Sequence, residues 1–109
     1  MTTPTERIRA LNDQLRTTGQ GGDVVVTRGI AALDLLAKAA IFAAIQAFDR
    51  FTTDNDPHGE HDFGTIELEG ETYFFKIDYY SLDMQGGSED SADPEKTVRV
   101  MTIMCAAEY

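Results

Sequence analysis

The sequence has 109 residues, 42% of them apolar and 26% charged, the profile of one ordinary globular domain rather than a disordered or fibrous chain. Nineteen acids against nine bases set a formal net charge of −10. This argues against direct nucleic-acid binding and against docking on an anionic membrane, both of which draw on Lys and Arg. One cysteine, Cys105, excludes an internal disulfide framework and a cysteine-based zinc site.

The charge is unevenly placed. Residues 1–48 hold four acids and five bases, whereas residues 49–109 hold fifteen acids and four bases. The acidity therefore belongs to the second half. The first residues lack a basic stretch followed by an apolar run, so no signal peptide is expected. No apolar stretch has the length of a membrane span, and a cytoplasmic location is the default expectation.

Residues 4–17 predict a first helix. Thr3 or Thr5 can cap it, Pro4 suits its first turn, and Ile8, Leu11 and Leu15 form an apolar stripe. Gly19, Gly21 and Gly22 stop it, and no Gly-Lys-Ser/Thr follows to make a phosphate loop. Val24 to Thr27 reads as a short buried strand. A second helix is predicted from about Leu33 to Arg50. Leu33, Leu36, Ala40, Ala44, Ala47, Phe48 and Phe51 would form its buried face, with Leu35, Phe42 and Ile45 interrupting the polar side. Leu35 and Phe42 are thus a candidate homodimer seam, unless the first helix covers them.

A polar loop follows Phe51. Strands are then predicted over Gly64–Glu69, Thr72–Tyr80 and Thr97–Cys105, the first two joined as a hairpin at Gly70. The order α-β-α-β-β-β predicts an α+β fold: an antiparallel meander of three to four strands with two helices packed on one face. Residues 1–51 form the helical half with one short strand, and residues 63–105 the meander.

Several strings carry a resemblance: Thr52-Thr-Asp-Asn-Asp-Pro-His-Gly-Glu-His-Asp-Phe-Gly64, Phe75-Lys-Ile-Asp-Tyr-Tyr80, Ser88-x-Asp-x-Ala-Asp-Pro94, Arg99-Val-Met-Thr-Ile-Met104 and Ala107-Glu-Tyr109, with Arg9-Ala-Leu-Asn-Asp13 and Gly21-Gly22. Over nearly the whole chain they resemble a family of small bacterial proteins of unknown function associated with plasmids and other mobile elements. The resemblance implies a setting of conjugation, plasmid upkeep or antagonism of host defence. It implies no activity and no functional residues.

Three constellations could carry function. Both histidines and four carboxylates fall within Asp54-x-Asp56-Pro-His58-x-Glu60-His61-Asp62. Asp54, Asp56, His58, His61 and Asp62 are therefore candidate metal ligands, although Asp54 and Asp56 equally suit side-chain turns. Lys76, Asp78 and Arg99 on neighbouring strands could form an acid–base site, or simply cross-strand ion pairs. The third is the acidity itself. Asp54, Asp56, Glu60, Asp62, Glu67, Glu69, Glu71, Glu89 and Asp90 would make a negative surface for a basic protein partner, or serve solubility alone. Without a catalytic motif or an expected cofactor, the favoured reading is a non-catalytic binding protein. It would inhibit a basic, nucleic-acid-handling host protein, with an anti-CRISPR or anti-restriction role as its sharpest form. The alternatives are a small metal-dependent or acid–base enzyme and a dimeric plasmid accessory protein.

Overall fold

Helix α1 (Pro4–Thr18) starts where its side chains can satisfy its own first N–H groups. The Thr3 hydroxyl accepts from the Glu6 amide at 3.1 Å, and the Glu6 carboxylate reaches back to Thr3 in a capping box. The helix stops at Gly19, which takes the left-handed conformation and donates its N–H to the Leu15 carbonyl. This computed structural model describes residues 2–109.

After α1 come β1 (Asp23–Val26), the single helical turn α2 (Arg28–Ala31) and α3 (Leu35–Gln46). Strands β2 (Phe63–Leu68), β3 (Glu71–Tyr80) and β4 (Val98–Cys105) follow, and a 3-10 turn over Ala106–Glu108 closes the chain. The expected second helix, Leu33 to Arg50, is α3 alone and is shorter at both ends, while α2 is an additional turn before it. Asp34 sets the start of α3 because its carboxylate caps the helix, accepting from the Ala37 amide at 2.8 Å.

The fold is α+β, with a four-stranded sheet in the order β1-β4-β3-β2. β2, β3 and β4 are antiparallel neighbours, as the meander predicts. β1 adds at the edge but runs parallel to β4, so the sheet is mixed. A hairpin would force antiparallel pairing. β1 is instead separated from the meander by two helices, and such a crossover permits a parallel partner. The β2–β3 hairpin turns on Glu69 and Gly70, both at positive φ, the geometry of a two-residue turn that Gly70 accommodates without strain.

α1 and α3 lie over one face of the sheet. Leu15, Ile41, Ile45, Ile66, Phe75, Ile77, Met101 and Ile103 form the centre of the core, with Tyr73 and Ile30. Gly64 lies opposite Phe75, and a Cβ there would collide with the Phe75 and Phe48 rings.

Two burial expectations are corrected. The valines of β1 are exposed, because an edge strand has a neighbour on one side only. On α3, Ile41 and Ile45 are buried while Leu36 is 83% exposed and Ala40 and Ala47 face solvent. Leu33, Ala44, Phe48 and Phe51 do pack on the core. Leu35–Gln46 is apolar nearly all round, so periodicity alone does not select its buried face.

Candidate functional site

The acidic half is held to α1 by a buried polar network. Arg9, Asn12, Asp13 and Arg16 recur at helical spacing along one flank of α1. Asn12 is fully buried. Its Nδ2 donates to the Glu60 carbonyl at 2.9 Å and to the Tyr79 hydroxyl at 2.7 Å. Its Oδ1 accepts from Arg99 Nε at 2.7 Å. The Tyr79 hydroxyl in turn donates to Glu60 Oε1 at 2.9 Å, and burial pushes the pKa of this phenol well above the usual range. Arg99 is 1% exposed, stacks over the Tyr79 ring at 5.1 Å, and donates to the Ser91 carbonyl. Burial lowers the pKa of this guanidinium, while Tyr79 and Glu60 pull it back up.

One helical turn further along α1, Arg16 gathers the end of α3. Its Nη1 donates to the carbonyls of Ile45, Gln46 and Phe48 at 2.9 to 3.2 Å, tying α1 to the C-terminal end of α3 and the residues just after it. Its Nη2 binds Asp13 at 3.0 Å, and Asp13 in turn meets His61 Nδ1 at 2.8 Å. His61 stacks flat on Phe51 with centroids 3.8 Å apart. Arg9 Nε donates to the Gly59 carbonyl at 2.6 Å. Four residues of α1 thus hold the loop between α3 and β2 in one conformation.

The same geometry places the residues of each predicted constellation. Asp56 is buried, and its Oδ1 accepts from the Glu60 and His61 amides at 2.9 and 3.1 Å, so it organises the loop as a side-chain turn. His61 is held by Asp13, while His58 and Asp54 point to solvent. Asp62 is half-buried with its pKa raised by desolvation, and its carbonyl accepts from the Ile77 amide. Among the described residues, no group of three or more His, Cys, Asp and Glu converges to hold a metal ion. The five residues picked as ligands are spent on the loop's own structure or splayed apart.

Lys76 and Asp78 form an ion pair at 3.2 Å on the open face of the sheet. Arg99 does not join them. It lies opposite Tyr79 in the ladder and so shares the helix-covered face with Met101 and Ile103. The acid–base triad is therefore split between opposite faces.

The candidate acids are also divided. β2 and β4 start at the same end of the sheet, which gathers the loops carrying Asp54, Asp56, Glu60, Asp62, Glu89 and Asp90. Glu67, Glu69 and Glu71 lie toward the other end, around the hairpin. Asp56 and Glu60 are committed inward, whereas Asp54, Glu67, Glu69, Glu71, Glu89 and Asp90 are exposed. Leu35 is 80% exposed, whereas Phe42 is partly buried and packs against the core.

The network's members on α1 were not picked out as functional from sequence. The signal available was polar side chains, Asn12 and Arg16, placed beside the apolar stripe of α1 at a spacing of four. The same is true of Glu108. Its carboxylate accepts from the Thr27 hydroxyl and from the Cys105 and Gly29 amides, which hold its pKa down at about 2. It thereby fastens the closing turn to the corner between β1 and α2.

Residues 26–108 match the family described as Protein of unknown function (DUF3768). The chain belongs to this family. The span recognised as DUF3768 takes in the loop, Tyr79, Arg99 and Glu108, while α1 lies before it. No curated protein and no solved structure matches the chain. Among the described residues of this DUF3768 protein, no helix is long and apolar enough to cross a membrane.

Proposed function

We propose that this DUF3768 protein is a non-catalytic binding protein of a bacterial plasmid or other mobile element, whose acidic half docks on a basic, nucleic-acid-handling protein of the host. Blocking a CRISPR or restriction component is the sharpest form of this reading. The observation that supports it is the fate of the four bases in residues 49–109. Arg99 is buried, Lys76 is paired with Asp78 and Lys96 lies 3.9 Å from Glu89, which leaves Arg50 as the one base there with neither burial nor a carboxylate partner. Ion pairs leave the net charge unchanged and the buried Arg99 is offset by the buried Asp56, so the surface of this half keeps the full excess of fifteen acids over four bases in its sequence. Such a field accelerates encounter with a positive surface and is screened by salt. An acid–base enzyme draws no comparable support, because Arg99 is turned away from Lys76 and Asp78.

The test is capture from a host lysate on immobilised protein at low and at high salt, with the retained proteins identified and assayed for DNA or RNA binding. A nucleic-acid-binding protein held at low salt, released at high salt and displaced from its own nucleic acid by this chain is the expected result. Retention of none at low salt refutes the reading.

A further inference from the structure

β2 is an edge strand with an open flank. The Ile77 amide donates to the Asp62 carbonyl at 2.8 Å, and Phe63 lies opposite Lys76. By the alternation of an antiparallel ladder, Gly64, Ile66 and Leu68 then aim their backbone groups at β3, while Thr65 and Glu67 aim theirs outward. Helix α3 runs beside this free edge. Two depressions lie between them, of about 410 Å³ beside Leu36 and Ala40 and about 650 Å³ beside Ala47 and Thr65. The helix side of the groove is the exposed stripe Leu36, Ala40 and Ala47, apolar and mostly small. Its other side and its ends carry Glu67, Glu69, Glu71 and Asp49 against the single base Arg50.

We infer that this groove takes an extended, lysine- or arginine-bearing segment of a protein partner as a fifth strand on β2. This rests on the acidic-docking reading above and specifies where the contact is made. The open backbone of Thr65 and Glu67 supplies main-chain hydrogen bonds, as in other strand-addition complexes. Alternate side chains of the added strand point to the two faces of the sheet. One set would lie on Leu36, Ala40 and Ala47, where the two alanines let a backbone approach α3. The carboxylates around the groove select cationic side chains in the other set and at the ends. A second copy pairing through its own β2 is a poor occupant, because that hairpin is acidic.

The probe is a fluorescein-labelled peptide of alternating lysine and valine, about eight residues long, titrated by anisotropy at low salt. Two relatives carry N-methyl groups, one on the lysine nitrogens and the other on the valine nitrogens. The parent peptide is expected to bind, and one methylated form, not both, to lose at least about tenfold in affinity, because only alternate N–H groups face β2. Ala40→Arg is expected to weaken the parent peptide at least about tenfold, with the melting temperature unchanged at this exposed helical site. The double variant Glu89→Gln/Asp90→Asn, at the far end of the sheet, is expected to change it less than about threefold.

If the parent binds but both methylated forms bind equally well, or Ala40→Arg binds like wild type, the groove is refuted and general acidic docking survives. If neither the parent peptide nor polylysine binds at low salt, both readings fall.

Discussion

Arg99 Nε donates to Asn12 Oδ1 at 2.7 Å, joining the last strand to the first helix across 87 residues of chain. The guanidinium is buried without a carboxylate in contact. Its partners are an amide oxygen, a backbone carbonyl and the face of Tyr79. A charge so placed depends on every one of these neutral partners.

Asn12→Ala therefore strands Arg99 Nε and the Glu60 carbonyl and leaves the Tyr79 hydroxyl only its bond to Glu60 Oε1. The expected loss is about 2–4 kcal/mol of unfolding free energy by urea titration. Arg99→Met removes the charge together with its need for partners and is expected to cost less. The two substitutions should be strongly non-additive, with a coupling of about 0.5–3 kcal/mol in a double-mutant cycle.

Glu108 makes stability acid-sensitive. Its folded pKa of about 2 lies below its ordinary 4.5, so its contribution is complete above pH 4.5 and is lost as the pH falls toward 2. Glu108→Gln removes that pH-dependent part. The melting temperatures of wild type and variant are expected to differ at pH 6 and to converge near pH 2. A constant difference across this window would contradict the assignment.

Gly64→Ala tests the approach of α3 to the sheet. The added methyl meets the Phe75 and Phe48 rings, and both belong to the packed core. Overpacking of this kind is expected to cost about 1–3 kcal/mol, read by thermal or chemical unfolding.

Leu35 and Phe42 are expected to respond differently to the same change. Leu35→Glu, at an 80% exposed site, should alter stability by no more than about 0.5 kcal/mol. Phe42→Glu places a carboxylate against the core and should cost about 2–4 kcal/mol. Light scattering of both variants checks that neither changes the molecular mass.

On the open face, the Lys76–Asp78 pair is partly solvent-exposed on both sides. Asp78→Asn is expected to change stability by less than about 1 kcal/mol, as exposed ion pairs do. A larger loss, measured at low and high salt, would mean that the pair is tied into a wider network.

How much of this was legible in the sequence differs from element to element. In α1, Thr3, Glu6 and Gly19 mark both ends by chemistry that acts over three or four residues, and the helix appears where they place it. The meander was legible for the same reason: Ile66 and Leu68, then Tyr73, Phe75 and Ile77, alternate with polar residues except at Phe74, and one turn at Glu69-Gly70 sets the register. α3 was less legible. Its apolar residues surround the helix, and packing against α1 and the sheet, rather than periodicity, selects Ile41 and Ile45.

Local signals thus determined the caps of α1, the faces of β2, β3 and β4, the α+β class and the concentration of acid in the second half. The tertiary structure alone decided that β1 runs parallel to β4, that Arg99 faces Asn12 rather than Lys76, and that Leu36, Ala40 and Ala47 line a groove beside a free strand edge. The physical reason is range. Capping, alternation and turn geometry act between residues a few positions apart. The partner of a buried charge and the neighbour of an edge strand are chosen across tens of residues, by which faces meet when the core closes.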